Sequence, residues 1–416
     1  MTKTLLTTIG TGDYEATRYV FKDRVSDSTR YIAQALCQIF EIEKVIILLT
    51  PEARAKHWGS LQASLPAGVE IQDRNIPSGE TEAEIWTLFE TLVDSIDRND
   101  EIIFDITHAF RSIQMLVLLG AAFLQTAKKV SIQGIYYGLH RPEESQSPIL
   151  DLTPALRLLD WLTATDKFIT TGSALELGEL LKTIQRDFYR HSRSAQNPNP
   201  AKPTTLQKFG DAIKNVSRSI ELVRPISLIK VDLPRLQRQS TERLNQEVGE
   251  FAKPFGLLLQ SIQDSYAQLA LPPQDVQNEV LQIQKQFQLL KWYVDKQFSA
   301  QAILLAREWV VSALCICEGI RNYRERVYRE AIERQLGSMT GKGETPGLNQ
   351  PVASYVSDPQ QLAVCWSRLT SYRNDVAHTQ MSEVENPIPA ERIEEYVLNH
   401  LLPELRSLFP SLTQNL

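Results

Sequence analysis

Between residues 3 and 152, short apolar runs alternate with amphipathic stretches, the pattern of a parallel sheet with crossover helices on its faces. Lys3–Thr8, Lys44–Leu49, Val69–Ile76, Glu101–Ile106, Val130–Gly138 and Ile149–Leu152 read as strands. Tyr14–Phe21 reads as an extended hairpin arm, and Asp27-Ser28 as the cap of a helix from Thr29 to about Phe40. Thr50-Pro51 opens the next helix with Pro in its first turn, and Pro77-Ser78-Gly79 leads into a helix over Glu80–Ile96. The apolar run Ile113–Leu124 is interrupted by Gln114 and is too short to span a bilayer, so it is expected as a helix buried against the sheet.

The polar residues of this half fall where such a sheet binds ligands. Gly10, Thr11, Gly12 and Asp13, then Thr50, Ser78 and Gly79, then Thr107, His108 and Arg111, and finally Gly138 all follow the carboxyl ends of strands. Helix N-termini at that edge offer free N–H groups and positive potential, so the expected ligand carries phosphate. It is not a dinucleotide, because Glu15 stands where the fingerprint after Gly10-x-Gly12 needs a third Gly. The chain also has no Gly-rich Lys-Ser/Thr loop for a nucleoside triphosphate. Two structural alternatives stay open: His108 as a satisfied strand-end histidine, and Gly10 and Gly12 as parts of a tight turn.

At 416 residues the chain exceeds one ordinary core, and 43% hydrophobic with 23% charged residues is a globular composition. Four cysteines (Cys37, Cys315, Cys317, Cys365) in apolar surroundings read as buried thiols of a reducing cytoplasm. No signal peptide or membrane span is read. The net charge of −6 argues against a general nucleic-acid coat, so any such contact is local. Lys182–Arg218, with eight cations against Asp187 and Asp211, is the local candidate, and a solvated linker explains it about as well.

Residues beyond 156 show no strand pattern and read as helical. Pro198, Pro200, Pro203 and Pro272-Pro273 interrupt them, and the Gly-rich stretch Gly337–Pro351 reads as a loop. Gln297–Ile320 is expected as an apolar-faced helix bearing Glu308. In Leu362–His378, the residues Leu362, Cys365, Trp366, Leu369, Tyr372 and Val376 recur at helical spacing and form one apolar stripe. The other side carries Ser367, Ser371, Asn374 and His378 in a row, with Arg373 at the edge of the stripe. A phosphate clamp, a polar positioner and a proton carrier are the parts needed to cleave RNA without a metal. Taken alone, this Arg…His pattern reads better as a solvated helix end. Arg186…His191 repeats the spacing without the Asn and reads as surface charge.

Together these stretches resemble a known family. Thr8-Ile9-Gly10-Thr11-Gly12, Leu49-Thr50-Pro51-Glu52-Ala53, Ile76-Pro77-Ser78-Gly79 and Asp105-Ile106-Thr107-His108-Ala109-Phe110-Arg111-Ser112 resemble the CRISPR-associated Rossmann-fold (CARF) sensor domain. Leu152-Thr153-Pro154 through Trp161 and Phe168–Gly172 resemble the hinge that follows it. Arg373-Asn374-x-x-x-His378 matches the motif of HEPN ribonucleases. The family usually carries Gly where this chain has Ala109, a change expected to be tolerated.

The resemblance implies an α/β Rossmann-like sensor over residues 1–153, a helical linker over 154–205 and an all-α HEPN domain over 206–416. It implies a cytoplasmic, homodimeric accessory ribonuclease of type III CRISPR defence, with Arg373, Asn374 and His378 catalytic and no cofactor or metal. Its activator would be a cyclic oligoadenylate, in particular the four-adenylate ring, and its substrate single-stranded RNA. The alternatives are a sensor that also or only degrades its messenger, and a non-catalytic dimerising module.

Overall fold

The computed structural model describes residues 2–108, 111–192, 202–340, 352–379, 381 and 387–414. Side chains at 111, 190–192 and 352 are outside the description, as are Ala109, Phe110, Arg193, Pro198, Pro200 and residues 341–351. The chain divides into two compact units, Met1–Asp160 and Trp161–Leu416.

The first unit is built on eight strands: β1 (Lys3–Ile9), β2 (Thr17–Phe21), β3 (Arg24–Thr29), β4 (Lys44–Leu49), β5 (Glu70–Asn75), β6 (Glu101–Asp105), β7 (Ser131–Gly138) and β8 (Gln146–Asp151). Their order is β3-β2-β8-β7-β6-β1-β4-β5. The block β7-β6-β1-β4-β5 is parallel, as the sequence pattern requires. The sheet as a whole is mixed, because β8 runs antiparallel to β7 and β3 antiparallel to β2.

Burial explains the apolar runs Val45–Leu49 of β4 and Ile102–Phe104 of β6, and the Leu5-Leu6 pair of β1. Val45, Ile47 and Leu49 of β4 enter one core, while Ile46 and Leu48 enter the core on the opposite face. Leu5 and Ile103 join the first and Leu6, Ile102 and Phe104 the second, the two-residue alternation of a strand covered on both sides. Helices α1 (Ile32–Phe40) and α2 (Pro51–Ser64) supply the first layer, with Leu36 and Leu61. Helices α3 (Glu82–Asp94) and α4 (Arg111–Ala127) supply the second, with Leu92 and Val117.

Two details differ from the sequence reading. Asp27 and Ser28 lie in β3, and α1 starts only at Ile32 behind Tyr31, which makes no side-chain cap. The extended hairpin takes the residues that looked like a cap, because β3 pairs with β2. On α4, Ile113, Val117, Ala121 and Leu124 are buried, whereas Met115, Leu119 and Phe123 are exposed, so only one face meets the sheet.

The second unit is helical throughout its described residues. Helices α5 (Thr153–Thr171), α6 (Leu175–Ser192) and α7 (Leu206–Glu221) begin the series, and the division between the units falls within α5. Leu177 and Leu181 of α6 and Phe209 and Ile213 of α7 enter one large core. Lys214 of α7 is paired with Glu179 of α6 at 2.6 Å. The helix Ser299–Cys317 is long and apolar enough to cross a membrane by composition, yet 61% of its apolar window is buried within the unit. Trp309 on that helix has no exposed surface and donates its indole N–H to Ile283 O at 2.9 Å. Glu308 on the same helix pairs with Arg307 and Arg329, each at 2.6 Å. Gly337 belongs to the last turn of the helix Arg326–Met339 and not to a loop.

Candidate functional site

In the parallel block, β1 lies between β4 and β6, so the chain's path along the sheet reverses beside it. The crevice outside the carboxyl end of β1 is therefore where an open α/β sheet leaves room for a ligand. Gly10–Asp13 leave β1 there and Ile106–His108 leave β6 there.

Asp105, the last residue of β6, organises the floor. It is fully buried and receives hydrogen bonds from Thr7 Oγ1 at 2.5 Å, Thr107 N at 2.9 Å and Thr107 Oγ1 at 2.6 Å. Burial raises its pKa to about 6, with the hydrogen bonds from Thr107 and Thr7 opposing that rise. Thr107 Oγ1 in turn accepts from Gly138 N at 2.8 Å, tying β6 to β7. A methyl group on Gly138 would sit 2.1 Å from Ile32 Cδ1 and 2.9 Å from Tyr19, so close packing is what requires glycine there.

Tyr14 fills the centre of the crevice. Its hydroxyl accepts from Gly10 N at 3.0 Å, and its ring lies 4.1 Å from His108 and 4.9 Å from His57 between centroids. His57 is buried, with Nε2 2.9 Å from Gly12 O and Nδ1 3.3 Å from the Tyr31 hydroxyl. A carbonyl only accepts, so Nε2 carries a proton. Lys56 donates to Thr11 O at 2.8 Å and pairs with Asp13 at 2.6 Å, which holds the Asp13 carboxyl below its ordinary pKa. The glycine turn is thus clamped from α2.

His108 is the chemically free group. Burial, then the nearby His57 and His140, lower its pKa to about 4, so the ring is neutral at pH 7. Its Nε2 is shielded from solvent and has no hydrogen-bond partner among the described residues. His108, Asp13, Tyr14, Glu15, Tyr19, Arg30, His140 and Pro142 line a cavity of about 330 Å³.

Thr50, Ser78 and Gly79 are committed elsewhere. Thr50 Oγ1 caps α2 by accepting from Ala53 N. Ser78 Oγ, Gly79 N and Glu80 N all donate to one oxygen of Glu84. That anion-binding turn is already filled by the chain's own carboxylate. Arg111 opens α4. Tyr14, His57 and Asp105 were not singled out from the sequence as site residues. An acid ending the apolar run of β6 was the legible signal for Asp105, whereas α2 has no periodic stripe that would have marked His57.

In the second unit, the helix Pro359–Ala377 is capped by Asp358, which accepts from Gln361 N. It buries Leu362, Cys365, Trp366, Leu369 and Tyr372, and Val376 packs at the core's edge. Ser367, Ser371, Asn374 and His378 are all exposed along the opposite side. Arg373 Nη1 donates to Asn374 Oδ1 at 3.1 Å, so the guanidinium and the amide act as one unit. His378 is the C-cap residue, its N–H donating to Asn374 O at 2.9 Å. Among the described residues no group of three His, Cys, Asp or Glu is placed to hold a metal ion. Cys37, Cys315, Cys317 and Cys365 are free thiols.

No family model matches the chain. It is 23% identical over 333 residues to the CRISPR-associated protein MJ1674 of Methanocaldococcus jannaschii. The match covers 78% of this chain and 45% of that protein, so the chain spans less than half of its relative's length. The similarity supports a CRISPR-associated family.

Proposed function

We propose that this protein is a metal-independent endoribonuclease of type III CRISPR defence, switched on when its first unit binds a cyclic oligoadenylate. The observation that carries the cutting half of the reading is the solvent-facing row Ser367–Ser371–Asn374–His378 with Arg373 bonded to Asn374. The two small serines let an RNA strand approach the helix. Arg373 stabilises the charge that builds on the phosphorane, and Asn374 orients the 2′-hydroxyl. The 2′-oxygen attacks phosphorus and the 5′-oxygen leaves, while His378 moves the proton between them. The products are a 2′,3′-cyclic phosphate and a 5′-hydroxyl.

One Arg, one Asn and one His make a sparse site. A second copy related by a twofold axis would bring two arginines and two histidines to one phosphate. A ring of adenylates suits the same symmetry, each subunit reading an equivalent half. Met115, Leu119 and Phe123, exposed together on α4, give the first unit an apolar face for such a copy. In the sensing half, the neutral His108 offers an unused ring nitrogen at the crevice.

Labelled RNA and labelled rings of different sizes, incubated together with the protein, test the whole reading. RNA should be cut only when a ring is present, with the four-adenylate ring the most effective. His378→Ala should abolish cutting and leave ring binding intact. Cutting that chelator stops and a divalent ion restores would sink the mechanism. Loss of the ring with intact RNA would replace it by a messenger-degrading enzyme.

A further inference from the structure

The second unit contains a polar cavity of about 490 Å³ that the proposed cutting site does not use. Lys230, Glu279, Gln282, Tyr323, Arg324 and Glu325 are among the residues lining it. Its place in the fold follows from the helix Ser299–Cys317. Tyr355 lies beside Glu318 just past that helix's C-terminus, and Trp366 lies under Arg307 near its middle. The helix Pro359–Ala377 therefore runs back along it, carrying Arg373 and His378 toward the N-terminal end. The cavity, bounded by residues 322–325, lies at the C-terminal end. A helix of 19 residues separates the two by about 28 Å, at 1.5 Å per residue.

The floor is rigid and fully satisfied. Gln286 Nε2 donates to the Tyr323 hydroxyl at 3.1 Å, that hydroxyl donates to Gln282 Oε1 at 3.1 Å, and Gln282 Nε2 donates to Val276 O at 2.7 Å. All three side chains are buried. The walls are different. Lys230 stands on a π-helical turn, Leu228–Asp232, a backbone irregularity that re-aims side chains and recurs at functional sites. Burial and then the neighbouring Arg324 disfavour its charge, with Glu279 acting in the opposite sense. Neither Lys230 nor Arg324 forms an ion pair among the described residues. Two helices also start at the cavity, at Glu279 and at Arg326, and the second has no side-chain cap on its N-terminus. Two adjacent cations, Lys230 and Arg324, and the uncapped helix N-terminus at Arg326 put positive potential into the same space as two carboxylates, Glu279 and Glu325. The two carboxylates line it as acceptors, and Asn322 Nδ2 donates to Glu325 Oε1 at 2.7 Å, which fixes that acid's position.

We propose that this cavity binds a nucleotide unit, its phosphate on Lys230 and Arg324 and its sugar hydroxyls or base edge on Glu279 and Glu325. The volume exceeds what a bare phosphate needs. The mixed lining matches a ligand that is anionic at one end and a hydrogen-bond donor at the other. The unit comes either from a free nucleotide or from a strand of RNA; only the second source rests on the ribonuclease reading.

Calorimetric titration of the full chain with the four nucleoside 5′-monophosphates, their nucleosides, inorganic phosphate and an eight-nucleotide 2′-O-methyl RNA tests the assignment. At least one monophosphate should bind, and far more tightly than its nucleoside. Arg324→Gln and Lys230→Gln should each weaken it roughly ten- to hundredfold, the loss of one charge-assisted contact. Arg324 is exposed, so that variant keeps the fold. His378→Ala should bind like wild type, which separates this site from the cutting site. If the RNA binds more tightly than any monophosphate and loses affinity in Arg324→Gln, the source is a strand; otherwise it is the free nucleotide. Absence of binding by every probe, a nucleoside as tight as its phosphate, or affinities unmoved in both variants would each overturn the proposal.

Discussion

Replacing Asp105 by Asn should make the first unit more stable at neutral pH while weakening its ligand site. The carboxyl is fully buried, and its pKa of about 6 stands above an aspartate's ordinary 3.8. A folded-state pKa that is raised means the folded chain holds the proton more tightly than the unfolded one. Stability from this group is thus fully present below pH 4 and is lost as pH rises through 6. At 1.36 kcal/mol per unit, ionisation costs the fold on the order of 3 kcal/mol at pH 7. Asn removes that cost and can still accept from Thr107 N and Oγ1, while its amide can donate to Thr7 Oγ1. The Thr7 hydroxyl must then donate elsewhere, an adjustment of about 1 kcal/mol. The net gain at pH 7 is about 2 kcal/mol. Hydrogen exchange of peptides from β1 and β6, corrected for intrinsic rates, reads this directly. Wild-type protection should fall between pH 4 and 6, and the variant should lack that fall. An equal pH dependence in both proteins would show that Asp105 titrates normally and that the argument from burial fails. A neutral amide also holds Thr107, and with it His108, less firmly, so ring affinity should drop even as stability rises.

In Gly138→Ala, the added methyl meets Ile32 and Tyr19 at under 3 Å, so thermal unfolding should reveal a loss of about 1–3 kcal/mol. Gly10→Ala, whose methyl would meet only the Tyr14 hydroxyl at 3.3 Å, should cost less, and equal losses would contradict the packing argument. Glu247 is opposed by burial, yet hydrogen bonds from Thr205 and Thr204 hold its pKa at about 2, so its contribution is present above pH 4.5 and lost as pH falls toward 2. Glu247→Gln should therefore lower stability by about 2–3 kcal/mol at pH 7 and by almost nothing near pH 2, as denaturant melts at the two pH values can check. Mixing excess His378→Ala protein with wild type until subunits exchange should depress cutting per wild-type subunit well below its starting value. Strictly proportional activity would mean that each subunit cuts alone.

Sequence alone determined the layered α/β half, because central strands covered on both faces read as short apolar runs: Val45–Leu49 in β4, Ile102–Phe104 in β6 and the Leu5-Leu6 pair in β1. It likewise determined the buried stripe of Pro359–Ala377 and the exposed row opposite, since helical periodicity assigns both faces at once. It placed Gly10–Asp13, Thr107 and His108 at one sheet edge, because loop positions follow from strand ends. Only tertiary structure decided what those residues do there. His57 reaches the glycine turn from α2, Tyr14 fills the crevice between two histidines, and Glu84 occupies the turn at Ser78 and Gly79. Each depends on contacts between segments far apart in sequence, or on a side chain folding back on its own turn, and neither leaves a periodicity to read. Gly138 illustrates the limit: its position suggested a ligand, and the side chains of Ile32 and Tyr19 packed against it give the physical reason for its lack of a Cβ.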